Sequence, residues 1–393
     1  MKLCVFAKGL PHSHIKGGME IHTYELIRRL STKGLDITVI TTKHPQNLKF
    51  EILEEGIEVF YVGDIPLKYT PKFYLESWKL FEKLHFKKEF DIIHSQSIAG
   101  FGFVKYGPKN MPFVITSHGT TVNEFRSALN SKEILKIFNG MLLALRYFFN
   151  STEKKSFLRA NKIIAVSKDL AQIIKEFYKV PSKKLIVIHN GVDHHKFRPR
   201  DASHIRLKLR IDPDEKIILL LGRILKEKGF HLVLRILPKL VTTYKVKVVI
   251  VGDGPYLDVL KKLAKDLKIS AHVVFLGKVP HELIPLYYNL ADIVVLPSQR
   301  VEGLPLVLLE AMASEKPVVA SKIGGITEVI HHMKDGILVD PRSLKDLENG
   351  IRLLLEDEAL ARYISKNARR KILEGYTVDY MVEKTIEVYK SIL

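Results

Sequence analysis

The chain has 393 residues, 46% of them hydrophobic, enough apolar material for two or three domains with real cores. Its single cysteine, Cys4, excludes an internal disulfide and any cysteine-rich metal site, and no apolar run approaches the ~18 residues of a spanning helix. The net charge of +19 is uneven: residues 1–200 hold 32 Lys and Arg against 18 Asp and Glu, and residues 201–393 hold 30 against 25, so the front half is expected to face something anionic.

Residues 2–7 (KLCVFA) read as a first buried strand and not as a secretory signal, because Lys8 interrupts the apolar run. A polar loop ends in Gly17-Gly18. A helix follows over 19–32, apolar at 19, 26, 27 and 30 and stopped by Gly34, and residues 36–41 (DITVIT) form the second strand. A strand, loop, helix and strand in that order open a parallel α/β layer. Further strands are expected at 59–62, 92–94, 113–116, 162–166 and 185–188. Two helical stretches suggest a surface role. In one, Lys72, Lys79, Lys83 and Lys87 share a face beside Phe73, Tyr74, Trp78 and Phe81. In the other, residues 133–149 carry an apolar stripe that ends in Phe148 and Phe149, flanked by Lys132, Lys136, Arg146, Lys154 and Lys155. Basic amphipathic helices of this kind lie on anionic membranes; the alternative is a core-packing stripe with a solvated basic face.

The pattern breaks over 193–213, the linker candidate. A second series follows, with strands at 217–221, 246–251, 273–276, 293–296, 317–320 and 336–339, and helices from 343 to the end. The reading is two consecutive doubly wound domains, 1–195 and 196–377, with a cleft between them and ligands at the carboxyl ends of the strands.

The most informative stretch is 292–321. Glu302 precedes a helix opened by Gly303-Leu304-Pro305, and Glu310 sits about two turns along it. Helix amides suit a phosphate and carboxylates suit vicinal hydroxyls, so acid, amides and acid match a sugar–diphosphate–ribose string. Two solvated helix acids are the competing reading. Arg223 and Lys228 follow strand 217–221, where a guanidinium fork and an ammonium can both reach a diphosphate. Gly17 and Gly18 allow close approach of backbone to ligand, though they do not form a GxGxxG fingerprint. His118 follows strand 113–116 at its carboxyl end and suits a sugar hydroxyl or a proton transfer. The turns at 190–193, 251–255 and 324–328 serve equally as plain turns, and 190–193 reads as a hinge-side loop. The loop 277–279, with Lys278 and Val279, can offer backbone groups to a base.

Taken together these pieces resemble family 4 retaining glycosyltransferases of the GT-B fold. The matching segments, in the family's order, are GGMEIHTYELIRRLSTKGLDITVIT, ITSHGT, VSKDL, IHNGVD, GRILKEKG, VGDGP, EGLPLVLLEAMASEKPVVAS, GGITEV and GILVDP. The resemblance implies that Glu302 contacts the donor sugar, that Glu310 holds the ribose, and that Gly303, Leu304, Arg223 and Lys228 bind the diphosphate. Gly17 and Gly18 would then lie against the phosphates and sugar, His118 near the reaction centre, and the base near Lys278 and Val279. It further implies two Rossmann-like domains, a final helix 378–393 returning to the first, retention of configuration, no metal and no cofactor. The expected partners are a nucleotide diphosphate-sugar donor (UDP- or GDP-sugar), a glycan or lipid-linked acceptor and an anionic membrane surface. No nucleic acid is expected, and the expected location is the cytoplasm or the cytoplasmic membrane face. A nucleotide-sugar epimerase or phosphorylase of the same fold, and a basic nucleic-acid-binding protein, are the alternatives.

Overall fold

The computed structural model describes residues 1–13, 17–123 and 151–393. The chain forms two compact units: residues 1–191 with 378–393, and residues 192–377.

The first unit is built on eight strands: β1 Lys2–Phe6, β2 Asp36–Thr42, β3 Phe50–Ile52, β4 Glu58–Val62, β5 Ile92–Gln96, β6 Phe113–Ser117, β7 Lys162–Ala165 and β8 Leu185–Val187. Their order is β3-β4-β2-β1-β5-β6-β7-β8, and all pairs are parallel except β3 with β4. The central strands are buried at nearly every position because helices cover both faces, so alternation is lost, and β5 (IIHSQ) buries polar residues as well. Leu26, Ile27 and Leu30 of the helix Gly18–Thr32 share one core with Val378, Met381, Val382, Val388 and Tyr389 of the chain's last helix, Val378–Lys390. The opposite face is an aromatic core that includes Phe81, Phe103 and Phe113. Strand β3 escapes the sequence reading because it is a three-residue edge strand with no buried position.

The helix Pro71–Lys88 starts where the Thr70 hydroxyl accepts from the Phe73 amide at 3.1 Å, with Pro71 in the first turn. Phe73 and Phe81 are buried and Tyr74 and Trp78 half-buried, whereas Lys72, Lys79, Lys83 and Lys87 are exposed. The aromatic residues that suggested a membrane surface therefore belong to the core. The stripe over 133–149, with Lys132, Lys136 and Arg146, lies outside the described residues. Among the described residues no helix is long and apolar enough to cross a membrane.

The second unit has six parallel strands: β9 Lys216–Leu221, β10 Val246–Val251, β11 Val273–Gly277, β12 Ile293–Leu296, β13 Val318–Ser321 and β14 Ile337–Val339. Their order is β11-β10-β9-β12-β13-β14. The direction of winding reverses between β9 and β12, which puts the switch point at the carboxyl edge of the sheet between these two strands. Residues 193–213 are not a linker. Phe197, Ala202, Ile205 and Ile211 are buried, and the segment contains the helix Ser203–Lys208. The polar composition of HHKFRPRDASH hides the buried Phe197 and Ala202. The division falls between Gly191 and Val192, not at 195. There the Val192 amide donates to the Tyr376 carbonyl at 2.9 Å, and Val192 also pairs with Thr377. The outgoing and returning segments of the chain thus run side by side.

Candidate active site

At the switch point of the second unit, the loop after β9 carries Arg223 and Lys228 and the loop after β12 carries Glu302. The two loops are bound together. The Gln299 amide donates to the Glu227 carbonyl at 2.8 Å, and at Gly229 (φ 75°) a Cβ would stand 1.9 Å from the Pro297 carbonyl oxygen. Only glycine allows that approach in that conformation. The result is a direct pair: Lys228 Nζ donates to Glu302 Oε1 at 2.7 Å, and the Ser298 hydroxyl donates to the same oxygen at 2.9 Å. Burial works to raise the Glu302 carboxyl. The Lys228 charge and hydrogen bond, the nearby Arg300 charge and the Ser298 hydroxyl outweigh it and hold the group below its usual range. Behind Glu302, the Gly325 amide donates to its carbonyl at 3.0 Å, and Gly324 (φ 52°) leaves only 2.3 Å between a would-be Cβ and that oxygen. The glycine pair after β13 is therefore a backrest for Glu302. Arg223 is exposed, and among the described residues its side chain makes no hydrogen bond or ion pair.

The helix expected from 303 begins at Leu306 and runs to Ala313, with Pro305 as its cap and not in its first turn. Gly303, in a bend, and Leu304 lead into it. Glu310 is buried, with 5% of its surface exposed. Its Oε2 accepts from the Tyr288 hydroxyl at 2.8 Å. Its Oε1 lies 3.8 Å from His281 Nε2. The Lys196 ammonium sits 2.6 Å from His281 Nδ1, and because an ammonium can only donate, the imidazole proton is on Nε2, aimed at Glu310. At 3.8 Å the two are too far apart for a hydrogen bond, so the buried Nε2 has no hydrogen-bond partner among the described residues. Neither glutamate is a solvated helix acid. Lys278 and Val279 lie just past β11 at the sheet edge, the first exposed and the second half-buried. Their loop also delivers His281 to Glu310.

In the first unit the winding reverses between β1 and β5. Gly17 caps the helix after β1, and nothing lies within 4 Å of a would-be Cβ on Gly18. One turn into that helix, the buried His22 meets the half-buried His118 edge to face at 4.6 Å. His118 Nε2 lies 2.8 Å from Gln96 Oε1 at the end of β5, so that oxygen accepts and the proton sits on Nε2. Deeper, His94 Nδ1 is 2.6 Å from the Tyr389 hydroxyl and Nε2 is 2.8 Å from Thr116 Oγ1. Burial pushes all three imidazoles down, His22 to about 4 and His94 to about 3, while His118 falls well below its usual value through burial and then its two neighbours. At neutral pH His118 is an uncharged hydrogen-bonding group, with Nδ1 left as acceptor.

Within each unit the structure thus joins Lys228 to Glu302, and Gly17-Gly18 to His118 through His22. Sequence reasoning missed Ser298, Tyr288, His281, His22 and Gln96. The EIHTYEL stretch directly after the glycine pair was the one signal available, for His22. Among the described residues no cluster of three or more His, Cys, Asp or Glu is arranged to hold a metal.

Comparison with known proteins gives a consistent answer. Residues 201–371 match the family described as Glycosyl transferases group 1, and residues 16–196 match Glycosyltransferase Family 4. An uncharacterised glycosyltransferase of Methanocaldococcus jannaschii is 30% identical over 391 residues, 96% of this chain and 95% of that protein. A GDP-mannose-dependent alpha-(1-6)-phosphatidylinositol monomannoside mannosyltransferase of Mycobacterium tuberculosis is 33% identical over 219 residues, 54% of this chain and 57% of that protein. Among solved structures, sucrose-phosphate synthase from Thermosynechococcus elongatus superposes with a TM-score of 0.85 at 22% identity, covering 100% of this chain and 98% of that one, a likeness of fold. With both halves matched and a relative aligned nearly end to end, the chain belongs to the group 1 glycosyltransferases and has their GT-B fold.

Proposed function

We propose that this glycosyltransferase takes a nucleotide diphosphate-sugar, a UDP- or GDP-sugar, as donor and transfers the sugar with retention to a glycan or glycolipid, without a metal or cofactor, at the cytoplasmic face of a membrane. One observation carries the reading: Lys228 and Glu302, far apart in sequence, meet at the switch point, and the loop of Lys228 also carries the unengaged Arg223. The relative that uses GDP-mannose and a phosphatidylinositol mannoside supports the donor class and the glycolipid acceptor.

The chemistry follows from the charges. The bond between the anomeric carbon and the diphosphate breaks, leaving oxocarbenium character on the sugar and negative charge on the departing oxygen. Arg223, Lys228 and the amides of Gly303 and Leu304 meet that charge. Fixed donors placed where charge develops are the largest usual source of acceleration. Lys228 has three N–H donors and spends one on Glu302, so it can hold the carboxylate and the diphosphate together. Glu302 then accepts from sugar hydroxyls. Glu310 Oε1 and His281 Nε2–H supply the acceptor and donor that a ribose diol needs. Lys278 and Val279 lie toward the base, and Gly17 and Gly18 let backbone approach the phosphates. His118, neutral, accepts a hydrogen bond from the transferred sugar through Nδ1. The acceptor hydroxyl attacks on the face the diphosphate leaves, and its proton passes to the departing diphosphate oxygen.

The test is a thermal-shift screen of UDP-, GDP- and ADP-sugars on the full chain, because a ligand at 100 times its dissociation constant adds ~2.7 kcal/mol. The donor that shifts the wild type is then assayed for release of nucleoside diphosphate with and without glycolipid acceptor. Acceptor-dependent release that drops at least tenfold in Arg223→Ala is expected. Release that ignores the acceptor, or wild-type rates in Arg223→Ala, defeats the assignment.

A further inference from the structure

The positive charge of the front half gathers at a place the transfer chemistry does not use. A cavity of about 540 Å³ is lined by Lys105, Lys109, Arg159, Lys162, Lys183 and Lys184, and no carboxylate lines it. Lys162 opens β7, and Lys183 and Lys184 directly precede β8. The cavity therefore lies at the amino-terminal edge of the sheet, about one strand length, ~16 Å for five residues, from the edge that carries His118. Among the described residues none of the six cations forms an ion pair.

Three of them are held in place nonetheless, by carbonyls. Arg159 Nη2 donates to Pro108 at 2.6 Å and to Met111 at 3.2 Å. Lys162 Nζ donates to the Lys183 carbonyl at 3.0 Å and Lys184 Nζ to the Leu158 carbonyl at 2.7 Å. The Arg159 guanidinium also lies over Phe103 and Phe113, at 5.5 and 5.9 Å from the ring centres. A carbonyl orients a cation but does not neutralise it, and each group keeps further N–H donors. Burial holds Arg159 below its usual range. Lys184 is lowered too, by burial and then by the Arg159 and Lys183 charges. Half-buried, mutually repelling cations on fixed supports are an unfavourable arrangement that a multivalent anion relieves. A planar guanidinium among ammonium groups is the donor set that suits phosphate, and the volume suits a small-molecule ligand larger than one phosphate.

We propose that this cavity binds a phosphate-bearing anion, either the headgroup of a phosphorylated lipid or a free phosphate compound. The inference rests on these six residues and not on the transfer site. Initial rates of lysine acetylation in the full chain, resolved by peptide mass spectrometry, are measured with and without inorganic pyrophosphate at constant ionic strength. At ten times the dissociation constant, mass action predicts about tenfold slowing at Lys105, Lys162, Lys183 and Lys184, and none at Lys79 and Lys83 on the outer face of the helix Pro71–Lys88. In parallel, co-sedimentation with phosphatidylglycerol and phosphatidylcholine vesicles compares the wild type, Lys105→Gln/Lys183→Gln and the control Lys79→Gln/Lys83→Gln. Loss of phosphatidylglycerol binding in the cavity variant but not in the control assigns a lipid headgroup. Pyrophosphate protection with vesicle behaviour unchanged by the cavity variant assigns a free phosphate compound. Equal effects at cavity and control positions, or no protection and no vesicle effect, overturn the proposal.

Discussion

Removing the Lys228 ammonium while keeping its bulk, as in Lys228→Met, strands a carboxylate of which 15% of the side chain is exposed. Two unit charges ~4 Å apart attract by ~4 kcal/mol at an effective dielectric near 20. Lys228 is itself 28% exposed, so water screens part of this and the desolvation already incurred offsets more. A coupling of ~2 kcal/mol remains, between the values for exposed and fully buried pairs. A double-mutant cycle with Glu302→Gln isolates it. The lone tryptophan, Trp78, lies in the first unit and does not report on the second. Peptide-resolved hydrogen exchange over β9 and β12 under increasing urea is the suitable assay. The pH dependence has a fixed sign. Glu302 is held below its usual value, so its contribution is complete above the unfolded value near 4.3 and fades as the pH falls through the lower folded value. Coupling of ~2 kcal/mol at pH 7 that shrinks below about pH 4 is expected. A coupling under ~0.5 kcal/mol at pH 7, or one that grows on acidification, refutes the argument.

Two other outcomes are expected. Gly324→Ala places a methyl 2.3 Å from the Glu302 carbonyl at a positive φ, so loss of ~2–4 kcal/mol in the same exchange assay and at least a tenfold drop in transfer should follow; wild-type behaviour in both would show that the loop yields freely. In the first unit, His22 and His94 stay neutral in the folded state down to about 4 and about 3. Unfolded histidine takes up its proton near 6.5, so each group should cost ~2–3 kcal/mol of stability between pH 6.5 and pH 4.5. Urea titrations followed by Trp78 emission should therefore lose about one proton's worth of slope in His94→Asn; an unchanged slope contradicts the burial argument.

What the sequence disclosed and what it concealed have physical causes. Strand β12, and β10 beyond Lys247, were legible because burial on both faces makes them apolar runs, whereas β3, exposed at an edge, carries no such run. The spacing of Glu302 and Glu310 was legible as a pattern. Their partners were not: Lys228 is 74 residues from Glu302, and Tyr288 reaches Glu310 from a separate helix. The segment 193–213 misled because Phe197, Ile205 and Ile211 are scattered among polar neighbours, so composition there describes the solvent side only. The glycines after β13 read as a turn and stand in one, whereas Gly229 after β9 carried no reading of its own. Their further purpose, letting one loop rest on the backbone of another, belongs to residues distant in the chain.

The place of the last helix has a consequence for how the molecule is made. Val378, Met381, Val382, Val388 and Tyr389 complete a core begun by Leu3 and Val5, and the Tyr389 hydroxyl caps the buried His94. A ribosome adds ~5–20 residues per second, so the ~200 residues from Gly191 to Lys390 take roughly 10–40 s. For that interval the apolar face of the helix Gly18–Thr32 lacks its partner helix Val378–Lys390. The second unit, 192–377, is fully synthesised first. The half that is synthesised first thus completes its core last, and a chain cut after Thr377 keeps every residue of the second unit and lacks the helix that closes the first.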